Sequence, residues 1–141
     1  EIDPQYRIAL ELRGLIYIAS GKEQQGIETL EKFRGMIGKE GKGVTLLGYA
    51  YAINGRREDA IACLKELEIR QHNHPKELLT MDFFIIYTGL KDYDRAFYYL
   101  EESIKKRLGG IIFLRFSPLL NEIKKDPRYN ELMKIAGLPI P

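Results

Sequence analysis

The sequence predicts an all-α protein built from repeated helical hairpins, and two observations carry that prediction. Residues 44–67 have the pattern of two amphipathic helices that fold back on each other at the tight turn Asn54-Gly55. The same pattern lies 34 residues earlier, where five positions have a counterpart at one fixed offset: Gly14, Tyr17, Gly21, Gly26 and Leu30. Matches at a single offset of this length indicate an internal repeat, and such repeats stack into elongated helical domains.

Residues of the central hairpin each have a packing role. Gly48 and Ala60 are small, so the backbones of two helices can approach closely where they cross. Leu47 and Tyr51 are four residues apart and share one face of the first helix. This hairpin resembles a tetratricopeptide repeat, a helix–turn–helix unit of 34 residues. The residues that carry the resemblance are Leu47, Gly48, Tyr51, Ala60 and Leu64.

The resemblance implies one domain, residues 1–141, in which three repeats stack as a right-handed superhelix. The repeats lie at about 7–40, 41–74 and 76–107. Helices of the first and third repeats are predicted over 5–20, 22–37, 76–87 and 93–107. Because Ala96 follows Ala60 by 36 residues, a two-residue insertion is placed within 71–75. Leu67 stands where the family prefers a small residue, and we expect its bulk to push the next repeat outward.

Residues 111–138 are predicted to cap the last hairpin, because a stack of repeats needs a polar cover over its final core face. Short helices are predicted over 117–124 and 127–136. This part resembles the C-terminal end of tetratricopeptide regions fused to bacterial transcriptional regulators, nucleotide cyclases and protein kinases. The matching residues are Pro118, Asp126, Pro127, Arg128, Tyr129, Leu132, Gly137, Leu138 and Pro139. The resemblance implies an accessory module, and we expect the chain to be a piece of a longer bacterial polypeptide.

Composition and charge argue against several classes of function. Hydrophobic residues make up 45% of the 141 residues and charged residues 30%, which is ordinary for a globular domain. The formal charge of +2 is close to balance, whereas a nucleic-acid-binding protein needs a basic face. No apolar run approaches the length of a transmembrane helix, so no membrane insertion is expected. We expect a cytoplasmic protein.

No catalytic, metal or cofactor site is predicted. The loop 38–43 is rich in glycine, but a phosphate-binding loop would need Lys where Val44 stands. His72 and His74 lack the neighbouring cysteines or carboxylates that would complete a tetrahedral metal site. Cys63 lies among apolar helix positions, where a thiol serves as inert packing. We therefore expect a non-enzymatic protein that uses no cofactor.

The family implies a protein-binding groove lined by the first helix of each repeat. Its candidate residues here are Leu15, Ile18, Tyr49, Ala52, Met81 and Ile85. Such an apolar groove suits a peptide or helix of a partner protein, or another domain of the same polypeptide. Tyr49 is predicted to be an exposed anchor, because Tyr51 already fills the core position. Two alternatives remain: these residues pack against neighbouring repeats or the C-terminal tail, or the groove or the open first repeat forms a homodimer.

Overall fold

A computed structural model describes residues 3–38 and 43–138 of the chain. The α-helices are α1 (Pro4–Ala19), α2 (Glu23–Ile37), α3 (Val44–Ile53), α4 (Arg57–Asn73), α5 (Thr80–Gly89), α6 (Tyr93–Lys105) and α7 (Pro127–Ile135). Between α6 and α7 lie three 3-10 helices, Gly109–Phe116, Pro118–Leu120 and Ile123–Lys125. The described ranges contain no β-strand, and the predicted all-α fold is confirmed. None of these helices combines the length and the apolar character needed to cross a membrane.

Side-chain caps and left-handed turn residues set the helix boundaries. Asp3, Asp92 and Asp126 accept hydrogen bonds from backbone N–H groups at the starts of α1, α6 and α7, at 2.9, 3.2 and 3.0 Å. The turn between α3 and α4 uses Gly55 at a φ of 77°, a left-handed conformation that glycine adopts without steric cost. In the turn between α5 and α6, Lys91 adopts a φ of 58° although it has a Cβ. The turn between α5 and α6 therefore also contains a left-handed residue, although lysine adopts this conformation less readily than glycine.

The helices pack as three consecutive hairpins, in which α1 pairs with α2, α3 with α4, and α5 with α6. Neighbouring hairpins are joined in two different ways. The second hairpin meets the third along α3 and α5, whereas the first meets the second through α2 and α3. No comparable packing joins α1 to α3. The first hairpin is therefore attached mainly through its second helix.

Small residues permit the crossing of α3 with α4 and α5. A methyl group on Gly48 would lie 2.6 Å from Cδ1 of Ile86 and 3.0 Å from Cβ of Cys63. Both distances are below normal van der Waals separation, so the crossing depends on the missing side chain. Ala60 and Ile86 are fully buried beside it. The small residues singled out in the sequence lie in the core, and Gly48 contacts the next hairpin as well as its own.

The C-terminal segment supplies part of the core. Its fully buried residues are Leu120, Ile123, Tyr129 and Met133, and they pack with Phe84, Ala96, Phe97 and Leu100 of the third hairpin. Burial of this many large apolar side chains is a major source of stability. The segment after α6 therefore forms a layer of the domain that packs against α5 and α6.

Arg128 fastens α7 to the third hairpin. Its guanidinium donates to the carboxylates of Asp126 at 2.9 Å and Asp94 at 2.7 Å. It also lies over the ring of Phe97, 4.5 Å from the centroid, where a cation–π contact is favourable. The Asp126-Pro127-Arg128 sequence thus both starts the helix and joins it to α6.

The loop before α5 is longer than predicted. α5 begins at Thr80, four residues after the predicted start. Arg70 of α4 holds the Glu77 carboxylate through two hydrogen bonds, one of them from Nε to Oε2 at 2.8 Å. The side chain of Gln71 donates to the backbone carbonyl of Glu77, also at 2.8 Å. These contacts hold residues 74–79 against α4 as a loop, so the helix cannot start earlier.

Two further details differ from the sequence prediction or fall outside the description. The helix predicted over 117–124 is instead two 3-10 helices. Residues 39–42 of the glycine-rich loop lie outside the described residues.

On the outer side, Leu67 is buried and α4 does not pack closely against α6, which leaves an open groove between these two helices.

Replacing Gly48 with Leu is expected to lower the free energy of unfolding by about 1–3 kcal/mol or more, because it overpacks the crossing. The matched control is Gly35→Leu in α2, where nothing lies within 4 Å of the Cβ position. Leu is a better helix former than Gly by roughly 0.5–1 kcal/mol, so the control should gain stability. Urea denaturation measures both variants, and equal losses in the two would contradict the close crossing.

Candidate functional site

The structure places five of the six predicted groove residues in or against the core, all except Leu15. Ile18 and Tyr49 are buried, Tyr49 with only 8% of its surface exposed. The other four, Leu15, Ala52, Met81 and Ile85, are half-buried. α3 and α5 approach closely here, since a methyl group on Gly89 would lie 2.9 Å from Cδ2 of Tyr49 and 3.1 Å from Cβ of Ala52. Tyr49 and Ala52 therefore serve the packing between the second and third hairpins.

The chain's own C-terminal segment covers part of the predicted groove along α3 and α5. The Tyr49 hydroxyl donates to the backbone carbonyl of Leu119 at 2.8 Å, and the Leu119 side chain packs against the same core cluster. Met81 and Ile85 pack with the cluster that contains the buried C-terminal residues. The prediction that Tyr49 is an exposed anchor is wrong, because α5 and the tail enclose it. For this residue the alternative of internal packing is confirmed.

A small cleft remains between α1 and the N-terminal ends of α3 and α5. Its volume is about 360 Å³, and its polar lining includes Glu11, Thr45 and Asp82. The Thr45 hydroxyl donates to Oδ1 of Asp82 at 2.5 Å, and burial raises the pKa of Asp82 above its usual value in spite of that bond. Among residues 3–38 and 43–138, no three His, Cys, Asp or Glu side chains are grouped so as to hold a metal ion. The cleft offers polar contacts without a recognisable reaction centre.

The single cysteine is also a packing residue. Cys63 is buried beside Gly48, and burial raises the pKa of its thiol to about 11. At neutral pH the sulfur is therefore protonated, whereas a nucleophilic cysteine needs a depressed pKa and access to solvent. The structure agrees with the role that the sequence predicted for Cys63.

A larger groove lies between α4 and α6, with α5 as its floor. We call it the α4–α6 groove; its volume is about 570 Å³. Its lining residues are Glu68, Gln71, His72, Pro75, Thr80, Phe83, Tyr98, Tyr99, Glu102 and Lys106. At the floor, buried Thr80 accepts a hydrogen bond from the Ser103 hydroxyl at 2.7 Å, which fixes α5 to α6. The groove exists because α4 and α6 stand apart, and Pro75 of the loop 74–79 forms part of its lining.

Aromatic rings form the apolar wall of the α4–α6 groove. The ring of Tyr99 is stacked between Phe83, at a centroid distance of 4.8 Å, and Tyr87, at 5.7 Å. Tyr98 meets Tyr99 edge-on at 5.1 Å and keeps 58% of its surface exposed. Both arrangements are favourable for aromatic pairs, so the rings are held in place before any ligand arrives. Tyr98 is a large, ordered apolar surface that faces solvent.

The α4–α6 groove is not evident from the sequence, although the sequence contains one signal for it. Tyr98 and Tyr99 are adjacent on a helix, so their side chains point about 100° apart. Only one of two such rings can point into the core, so the other must lie at least partly exposed on the helix surface. Which of the two is exposed depends on the position of α4, and that information is not local.

Comparisons with protein-family models, with curated proteins and with solved structures yielded no match to this chain. The resemblance to tetratricopeptide repeats therefore rests on the residues quoted above and on the hairpins they form.

The buried Tyr49 hydroxyl predicts a change of stability at alkaline pH. Burial raises the pKa of Tyr49 from its usual value near 10 to about 12, so the folded state keeps a proton that the unfolded state loses. Its contribution to stability is complete below pH 10 and is lost as the pH rises to about 12.

The variant Tyr49→Phe isolates this effect. Loss of the bond to Leu119 is expected to cost about 1 kcal/mol near pH 8. Between pH 10 and about 12 the stability difference between wild type and Tyr49→Phe should shrink, because only the wild type ionises on unfolding. Urea denaturation at several pH values measures it, and a constant difference across that range would contradict the burial of the hydroxyl.

Proposed function

We propose that this chain is a non-enzymatic protein-binding module of the tetratricopeptide type, and that it holds an extended segment of a partner protein in the α4–α6 groove. The observation that carries the proposal is the set of ordered aromatic rings that opens to solvent at Tyr98. Exposed aromatic side chains of this kind are the usual anchors of protein interfaces, because they bury a large area with little loss of conformational freedom. The predicted groove along α3 and α5 is filled by the chain itself, so it is a weaker candidate.

The lining of the α4–α6 groove favours an extended peptide that is apolar and contains proline. Aromatic-lined grooves suit polyproline-type segments, whose backbone is already extended before it binds. Side-chain donors of His72 and Tyr98 stand along the groove. They match a proline-containing peptide, which offers backbone carbonyl acceptors and fewer N–H donors. Glu68 lies on the α4 side of the groove, and Glu102 and Lys106 lie on the α6 side, so the lining carries charges of both signs.

The proposed context is an accessory or regulatory module of a larger bacterial protein in the cytoplasm. The support is the resemblance of the C-terminal residues to tetratricopeptide regions of signalling proteins. In the structure those residues join α7 to the third hairpin through Arg128, Asp94 and Phe97. The partner segment would then belong either to another protein or to another domain of the same polypeptide.

Selection of peptides from a displayed random library against the wild-type chain tests the proposal. We expect enriched peptides to be extended, apolar and proline-containing, and to bind Tyr98→Ala at least tenfold more weakly, since losing an anchor costs roughly 2 kcal/mol. The melting temperature of Tyr98→Ala should stay near that of wild type, because the ring is mostly exposed.

Ile135→Ala is the matched control, since Ile135 is an exposed apolar residue of α7 outside the α4–α6 groove. It should bind the selected peptides as wild type does. Peptides that bind Tyr98→Ala and wild type equally well would show that the groove is not the binding surface.

A further inference from the structure

A second cavity adjoins the α4–α6 groove, closer to the N-terminal ends of the same two helices. Its volume is about 410 Å³, and we call it the Arg57 cavity. Its lining residues are Arg57, Ile61, Leu64, Lys65, Glu68, Tyr87, Leu90, Asp92 and Arg95. Glu68 lines both the Arg57 cavity and the α4–α6 groove, so the two are neighbours along α4.

The Arg57 cavity and the α4–α6 groove share their walls and their floor. From Arg57 to His72, the lining residues of α4 recur at intervals of three or four, which is the spacing of one helix face. The floor is α5 in both, with Phe83 in the groove and Tyr87 in the cavity. Tyr99 of the groove stacks on Tyr87 at a centroid distance of 5.7 Å. An extended segment that fills the groove therefore reaches the cavity as well.

The Arg57 cavity carries positive charge that the chain itself leaves unpaired. Arg57 and Lys65 are exposed, and within the described ranges neither side chain forms an ion pair. Arg95 donates to the Asp92 carboxylate at 2.5 Å, so these two charges offset each other. Glu68 is the remaining acid among the described lining residues. The cavity thus keeps a net positive charge, in contrast to the balanced charges of the groove.

The Arg95 guanidinium is held in place before any ligand binds. It lies over the ring of Tyr87, 5.7 Å from the centroid, and Asp92 fixes its orientation. Among the described residues it donates to Asp92 through Nη1, and a guanidinium has five N–H donors in all. The donors that remain match the oxygens of a carboxylate, which form short, charge-assisted hydrogen bonds with arginine.

We propose that the Arg57 cavity binds an acidic side chain, Asp or Glu, of the same extended segment that occupies the α4–α6 groove. This inference rests on the proposed function, because it assigns a second contact to that segment. The lining residues of α4 in the two cavities are centred about seven positions apart, which is about 10 Å of helix. A polyproline-type segment rises about 3.1 Å per residue, so its acidic residue stands about three positions from the apolar residues in the groove.

The two contacts affect binding in different ways. Charges at an exposed site mainly raise the rate of association, and their effect decreases as salt is added. Loss of an apolar anchor such as Tyr98 mainly raises the rate of dissociation instead. The rate constants therefore separate the acidic contact from the aromatic one.

Peptides selected from the displayed library against the wild-type chain are the probes. We expect an Asp or Glu about three positions from the apolar, proline-containing block. One such peptide is synthesised with an amidated C-terminus, together with its Asn or Gln analogue, so that the side chain is the carboxylate under test. The analogue should bind the wild type about threefold to fivefold more weakly, as exposed ion pairs do, and the difference should shrink at about 0.5 M salt.

The double variant Arg57→Gln, Lys65→Gln tests the cavity itself. It should lose most of the preference for the acidic peptide, at a melting temperature near that of wild type, because both side chains are exposed and unpaired within the described ranges. The matched control is Lys32→Gln, Lys134→Gln, which removes two exposed positive charges outside both cavities. The control should keep the preference and the association rate of wild type.

The outcomes separate this inference from the proposed function. Peptides that depend on Tyr98 but lack an acidic residue, or that bind as well as their amide analogues, would overturn the acidic contact alone. Equal losses in the double variant and its control would show a long-range effect of net charge, which also overturns it. A selection that yields no peptide dependent on Tyr98 would overturn both proposals.

Discussion

The crossing of α3 over α5 is the contact on which the rest of the structure depends. Gly48 leaves room for Ile86, and Gly89 leaves room for Tyr49, so each helix carries a gap that the other fills. Interiors are packed densely enough that a single added methyl group would force the helices apart. The crossing fixes the second hairpin against the third. It also encloses Tyr49, whose hydroxyl then holds the backbone of Leu119 and positions the C-terminal segment.

Exposed apolar surface occurs where the stacking of hairpins is incomplete. α4 and α6 stand apart, and of the aromatic residues between them Phe83 is buried whereas Tyr98 is open to solvent. Among the described residues no helix packs over the outer face of α1, where Ile8, Leu12 and Ile16 are exposed. Contiguous exposed apolar surface in a soluble domain marks a site of interaction. The proposed interface in the α4–α6 groove therefore follows from the distance between these two helices.

The helices themselves were predictable because their signals are local. Apolar spacing of three and four residues, an Asp cap before α6 and α7, and a glycine turn after α3 all act within a few residues. The start of α5 was misplaced, because contacts from Arg70 and Gln71 hold the preceding loop. The predicted groove failed at Tyr49 for a related reason, since the group that covers it lies 70 residues further along the chain.

By itself the sequence determined the all-α class, the hairpin order and the small residues at the crossing, because these follow from periodicity and residue size. Only the tertiary structure decided which apolar side chains are covered. Ile16 and Ile86 occupy equivalent repeat positions, yet one is 64% exposed and the other 0%. Burial depends on what packs against a residue from elsewhere in the chain, and a repeat pattern is the same whether or not a neighbouring helix is present.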